Sequence, residues 1–355
     1  MNIRTTCFAT FAALSASSSF AGDAYFQGLG FLHGATSSFA SDISDDGAYI
    51  AGYATSGGSP VAVRWQNGAI SSLGISGVSR AYGISGDGNV AVGSILSGSA
   101  ETAIRWESGT VSELSPALST AHGVSSDGSL AAGFRRISGS HRAVGWLNGV
   151  ENLIPGIPSS VPSEAWAVSS NARAVVGEMG LLAGGTGAFR YADGILSNLG
   201  SLSTGANSRA YAVSGDGSVV VGGSANQPFR WSEDEGGVMV GLGFLPGTTR
   251  GQAWGVSGDG NAIVGSYDTS SGTKAFLWRS GGGVEDLLQV MTDLGASVSG
   301  WNSLTATAIS ADGLTIVGAG NGPDGRFQAF IAHLPEPSTC MLLAPAFGVL
   351  VRRRR

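Results

Sequence analysis

A short motif returns seven times along this chain, and few folds can accommodate it. Its clearest copy is VSGDGSVVVGG, from Val213 to Gly223. Aligned on the serine, the copies fall at Ser44, Ser85, Ser125, Ser169, Ser214, Ser257 and Ser310, separated by 41, 40, 44, 45, 43 and 53 residues. Self-similarity at such a period marks a repeat architecture. Each copy follows one grammar. An alanine stands four positions before the serine, at Ala40, Ala81, Ala121, Ala165, Ala210, Ala253 and Ala306. Isoleucine or valine directly precedes the serine in every copy, and Asp-Gly follows it one residue on in six. A short apolar run then ends in glycine, at Gly52, Gly93, Gly133, Gly177, Gly222, Gly265 and Gly318. A tryptophan closes a third run at Trp65, Trp106, Trp146, Trp231 and Trp278; Tyr191 replaces it in the fourth copy, and the seventh has AFIA at 329–332. A fourth run, such as GAISSLG or GILSNLG, ends the unit.

Each unit therefore holds four short strands joined by hairpins. Valine, isoleucine, threonine and aromatic residues fall between Gly, Ser, Asp and Asn, and 58 glycines point to many tight turns rather than long helices. Ser85-Gly86-Asp87-Gly88 has the composition of a type I turn followed by a left-handed glycine, a hairpin loop with a bulge. Antiparallel hairpins exclude a parallel solenoid. Four-stranded antiparallel units of this length build β-propellers, so the chain is predicted to be all-β, with seven blades. The start of the body, YFQGLGFLHG, matches VMVGLGFLPG of the sixth copy. An N-terminal strand thus supplies the fourth strand of the last blade and closes the ring. Copy four reads Ser169-Ser170-Asn171-Ala172, and alanine disfavours the left-handed region, so its turn is expected to differ in shape.

The two ends differ from the body. Residues 1–21 carry one charge, Arg4, then an apolar stretch from Cys7 to Leu14 and a small-residue close at Ala21, the order of a secretory signal peptide. The last segment, 335–355, has an apolar run over 340–351 and four terminal arginines. At 12 residues, with Pro345 inside, the run is short for a bilayer span, which takes about 20. Its contact with the inner membrane is expected to be transient. The repeat domain occupies 22–334. Both cysteines, Cys7 and Cys340, lie in the end segments, so the body has no disulfide or thiolate metal site. All 25 acids lie in the body, while five of the 19 basic residues lie outside it, leaving a body charge of −11. Such a balance argues against nucleic acid, whose phosphates need neutralising.

The C-terminal order Pro335-Glu336-Pro337, apolar segment and arginine cluster resembles a PEP-CTERM sorting signal. That resemblance implies export in a Gram-negative bacterium, recognition and cleavage by an exosortase-type membrane enzyme, and association with exopolysaccharide and biofilm material. The body resembles the HAF-repeat group of extracellular proteins, whose units carry A-x-(I/V)-S/N-x-x-G, then V-G, then A-F-x-W. The likeness extends over nearly all of 23–334. It implies a fold and a location outside the cell, and no reaction.

A phosphate cradle needs a helix after its glycines, whereas an apolar strand follows Gly217, so the loop is read as a turn. Asp45-Asp46 and Glu233-Asp234-Glu235 lack the alternation of a calcium loop and are read as solvated charge. Four third-strand arginines, Arg64, Arg105, Arg190 and Arg230, are expected to pair with turn aspartates. The residue after the repeated alanine is Tyr82, His122, Trp166, Tyr211 or Trp254 in copies two to six, with Ser41 and Thr307 in the outer copies. Simple alternation places Ala81, Gly83 and Ser85 on one face and Tyr82 and Ile84 on the other. The large side chains either pack between blades or form an aromatic crown that stacks sugar rings at the channel mouth. On the inner strand only Asp42 and Glu164 are acids, the one pair a glycoside hydrolase could use. No nucleophile-elbow or zinc-protease motif occurs.

The expectation from sequence is therefore an exported surface or matrix protein with a structural or adhesive role, binding exopolysaccharide through Tyr82, His122, Trp166, Tyr211 and Trp254. It is expected to be no enzyme and to need no cofactor or metal. The alternatives are a polysaccharide hydrolase or lyase on a propeller, and an extracellular protein–protein scaffold.

Overall fold

The computed structural model describes residues 23–336 apart from Ser99 and Ala117. The signal-peptide stretch, Pro337 and the apolar run over 340–351 lie outside the described residues. Seven four-stranded antiparallel sheets form the blades of a propeller, and in six of them each strand pairs with the next along the chain. Blade 1 is typical: Ser37–Ile43, Tyr49–Ser56, Ser59–Gln66 and Ala69–Ser72, from the axis outward. Blade 7 takes its first three strands from Asn302–Ile309, Thr315–Asn321 and Phe327–His333. Its fourth is the N-terminal strand Tyr25–Gly28, antiparallel to the third, with Tyr25 opposite His333. The ring closes as the sequence predicts.

Seven separate cores hold the ring, each shared by two neighbouring blades. Between blades 1 and 2, for example, Ala51 and Ala62 leave room for Ile84, Ile104 and Trp106. Trp65 and Trp146 are almost completely buried, and the Trp65 indole donates to the Leu29 carbonyl at 2.9 Å. The third-strand arginines do not meet aspartates. Arg64, Arg105, Arg190 and Arg230 donate to the carbonyls of Gly88, Gly128, Gly217 and Gly260, the turn glycines of the next blade. A left-handed glycine turns its carbonyl outward toward that neighbour, while the aspartate is already engaged inside its own turn. Arg64, Arg190 and Arg230 also lie over Trp106, Trp231 and Trp278 of the next blade.

The turn chemistry is the same in every blade. The Ser214 hydroxyl donates to Asp216 at 2.7 Å and accepts from the Val219 amide at 2.9 Å, while Asp216 accepts from the Ser218 amide. These bonds hold the carboxyls of Asp87 and Asp127 below the usual range. Copy four keeps this shape, contrary to expectation. Asn171 takes the place of the aspartate, accepting from Ser169 at 2.8 Å, and Ala172 is forced to φ 58°. The surrounding ring outweighs the local preference of one alanine.

One irregularity is repeated in all seven blades. The pairing of first and second strands slips by one residue immediately after the repeated alanine, for instance between Ala210 and Ala212. The glycine that ends each apolar run faces this bulge. A Cβ on Gly222 would stand 1.9 Å from the Arg209 carbonyl oxygen, and the other six glycines meet the equivalent oxygen at 1.9–2.1 Å. The long spacing between copies six and seven holds a helix, Leu287–Asp293, absent from the sequence-based expectation because seven residues are too few for a periodic stripe. Asp286 caps it by accepting from the Leu288 amide at 3.1 Å, and Leu287 and Met291 are buried.

Candidate functional site

The bulge decides what lines the axis. The extra residue in each blade is Ser41, Tyr82, His122, Trp166, Tyr211, Trp254 or Thr307. A bulge leaves that residue unpaired and re-aims its side chain. The two-face alternation read from sequence therefore fails here, and all five candidate residues come together around one cavity of about 390 Å³. Their rings make a continuous arc. Centroids lie 5.5 Å apart for Tyr82–His122, 4.4 Å for His122–Trp166, 5.7 Å for Trp166–Tyr211 and 4.5 Å for Tyr211–Trp254. Each is half-buried. The arc is open where blades 7 and 1 carry Thr307 and Ser41. Phe39 and Tyr53 of blade 1 continue the wall there.

Deeper along the axis lies a second space of about 180 Å³, whose lining includes residues of a belt of backbone bonds between blades. Gly86 donates to Ser126, Ser126 to Ser170, Asn171 to Gly215, Gly215 to Gly258, Gly258 to Ala311 and Ala311 to Asp45, at 2.9–3.1 Å. Six junctions close this way, and the junction of blades 1 and 2 is bridged by a side chain. Asp42 accepts from its own blade's Ile43 amide and from the Ile84 amide of blade 2, both at 2.9 Å. Burial pushes its carboxyl up to about 6, against the pull of those two amides. Asp45 reaches across the floor to the hydroxyls of Ser126, at 2.5 Å, and Ser170, at 3.3 Å. The axial space is thus a cup, with an aromatic mouth and a polar floor.

Asp42 and Glu164 are not brought together. Asp42 lines the lower cup, whereas Glu164 does not line it and pairs with the His141 imidazole. The facing carboxylates of a glycosidase are therefore absent at these two positions. In one acidic loop Glu233 pairs with Arg190 and Arg173, and Glu235 with Arg230, and both glutamates stay solvent-exposed.

Several polar groups at the mouth lack partners. The Ser41 hydroxyl, His122 Nε2 and Trp166 Nε1 are buried without a hydrogen bond. Burial, then the nearby His141, lowers the His122 imidazole to about 4, so it is neutral at physiological pH. Burial raises the Tyr82 and Tyr211 phenols, keeping both protonated. Arg80 lies beside the Tyr82 hydroxyl and over the Tyr53 ring. Among the described residues it has no carboxylate within ion-pair distance. Arg209, beside Tyr211, is paired with Glu178. Sequence reasoning missed Arg80, Phe39, Tyr53 and the belt. The small residue after the motif serine in six of seven copies, Gly86, Ser126, Ser170, Gly215, Gly258 or Ala311, was the signal for the belt.

No protein-family model matches the sequence, and no curated protein does. Solved structures do resemble it. An oligogalacturonate lyase in complex with manganese superposes with a TM-score of 0.58 at 13% identity, over 88% of this chain and 96% of its own. An oligogalacturonate lyase from Vibrio parahaemolyticus gives 0.57 at 10% identity, over 88% and 98%. The β-propeller domain of the Trilobed protease from Pyrococcus furiosus gives 0.53 at 12%, over 88% and 94%. That domain is described as having an open velcro topology, whereas Tyr25–Gly28 closes the ring here. At these identities the likeness is one of fold.

The expectation that the chain is no enzyme does not stand. Two structures that match almost end to end are lyases by name, so rings of this fold carry catalysis in other proteins. Missing local motifs cannot exclude activity when each blade contributes one residue to a shared cup. One of these lyases holds manganese. Among the described residues here no three His, Cys, Asp or Glu side chains converge.

Proposed function

We propose that this chain is an enzyme acting on an acidic polysaccharide, and that the aromatic cup is where a sugar unit sits and is cleaved by elimination. The observation that carries this is the arc from Tyr82 to Trp254, with an uncompensated arginine and a neutral histidine at one end of it. Aromatic rings suit the apolar faces of a sugar. Elimination from a uronate needs three things: a cation on the carboxylate, a base for the proton at C5, and an acid for the departing C4 oxygen. Arg80, His122 and Tyr82 have those characters and lie on blades 2 and 3. In the step, the C5 proton passes to the His122 imidazole and its electron pair forms the C4–C5 double bond. The C4–O bond breaks, and the oxygen takes the Tyr82 proton. Arg80 meets the carboxylate, whose negative charge grows as the C5 proton leaves.

Incubation with polyuronates tests this directly. Ultraviolet absorbance of the unsaturated product should rise with wild type, fall by about 100-fold or more in His122→Ala, and fall as pH drops through about 4, where His122 takes a proton. New reducing ends without that absorbance would replace elimination by hydrolysis. No cleavage of any polyuronate would sink the proposal.

The place of action is proposed to be outside the cell. The signal-peptide pattern of residues 1–21 and the Pro335-Glu336-Pro337 sorting pattern support this. An exosortase-type enzyme would then be a processing partner, and the polymer a component of the surrounding matrix. Fractionation of producing cells checks the location.

A further inference from the structure

The arc of rings around the cup has one gap, and a second aromatic group begins there. On the mouth side of blade 1, Phe39 and Tyr53 face each other across paired strands, with ring centroids 5.2 Å apart and planes 15° from parallel. Phe39 in turn lies 6.4 Å from Phe327 of blade 7, at 18°. Phe327 starts the third strand of blade 7 beside the 322–326 hairpin, and is 41% exposed. Three near-parallel rings thus lead from the cup to the rim. The two blades it crosses carry the small Ser41 and Thr307 where the other five carry a ring. The cup itself is continuous with it, since Phe39 and Tyr53 belong to both.

Phe327 is 41% exposed, so a large part of its ring is open to a ligand. Below the cup Asp45 of blade 1 reaches across to the hydroxyls of Ser126 and Ser170 on blades 3 and 4, which obstructs the passage of a polymer along the channel. A chain with one unit in the cup must leave by the mouth, and the open side of the arc is the side bearing Phe39 and Phe327. We propose that this track is an outer subsite, holding the sugar units that adjoin the one in the cup. The proposal rests on the cup being a saccharide site. It adds that the substrate is a chain several units long, lying across blades 7 and 1.

Affinities for galacturonate oligomers test it, measured on the full chain by quenching of the cup's tryptophan fluorescence on rapid mixing, before turnover, with a dimer and a hexamer as probes. In wild type the hexamer should bind about tenfold more tightly than the dimer. Phe327→Ala should abolish that difference while leaving dimer affinity unchanged, and Phe327→Trp should retain it. An unchanged ratio in Phe327→Ala, or equal binding of both oligomers by wild type, overturns the outer subsite and leaves the cup. Failure of wild type to bind either oligomer overturns both.

Discussion

The glycine ending each apolar run offers the sharpest test of how this ring is built. In Gly222→Ala the new Cβ would lie 1.9 Å from the Arg209 oxygen, 2.9 Å from its carbonyl carbon and 3.0 Å from the Ala210 Cα. All three are backbone atoms inside a paired strand, so no side chain can swing away. The carbonyl must retreat by about 1 Å, which opens the bulge and weakens the bonds beside it. Overpacking of this kind costs about 1–3 kcal/mol, and each lost backbone bond about 1 kcal/mol more, so a loss of about 3 kcal/mol or more is expected. Gly223 is the control, one residue along the same strand. Its added Cβ would touch only the Gln252 side chain, at 3.2 Å, and Gly223→Ala should change stability by less than about 1 kcal/mol. Urea unfolding followed by circular dichroism measures both. The bulge also aims Tyr211, so Gly222→Ala should disturb the Tyr211–Trp254 contact in the near-ultraviolet spectrum, and Gly223→Ala should not. Equal stability losses in the two variants would refute the close-approach account of the repeated glycine.

Two further outcomes follow from the same geometry. Ala172→Gly should stabilise the fold by about 1 kcal/mol, because alanine at φ 58° carries left-handed strain that glycine does not; an unchanged urea midpoint would count against it. The pH profile of stability should be nearly flat between about 4 and 6, through cancellation. Asp42 is raised to about 6 in the folded state, so its contribution is present below the unfolded value of 3.8 and is lost as pH rises to about 6. His122 is lowered to about 4, so its contribution is present above 6.5 and is lost as pH falls toward 4. Each shift corresponds to about 3 kcal/mol at most. Asp42→Asn should therefore lose stability on acidification through this window, and His122→Gln should gain it. Identical slopes in the two variants would show that neither group titrates as described.

What was legible in the sequence is what each repeat states within its own length. Serine, aspartate and glycine bond within five residues of one another, so VSGDGSVVVGG declares its hairpin wherever it lies. The period counts the blades, and the likeness of the N-terminal stretch to the fourth run of copy six announces the closure later seen in Tyr25–Gly28. The five residues now around the cup were also legible, as a variable position beside an invariant alanine. Their direction was not. Alternation is a two-residue rule, and a bulge breaks it with no insertion visible in the string. Only the opposing glycine, 12 residues after the repeated alanine, hints at it.

Tertiary structure alone decided the rest, because closing a ring brings together residues a whole repeat or more apart. Asp42 reads as one of two catalytic acids, yet it bridges blade 1 to Ile84 of blade 2, while Glu164 turns to His141. Arg80 looks like any surface cation until the ring sets it beside Tyr82 and Tyr53 with no carboxylate at hand. Local hydrogen bonding wrote the blade into the sequence. The cup exists only where seven blades meet, and its chemistry depends on distances that no single repeat contains.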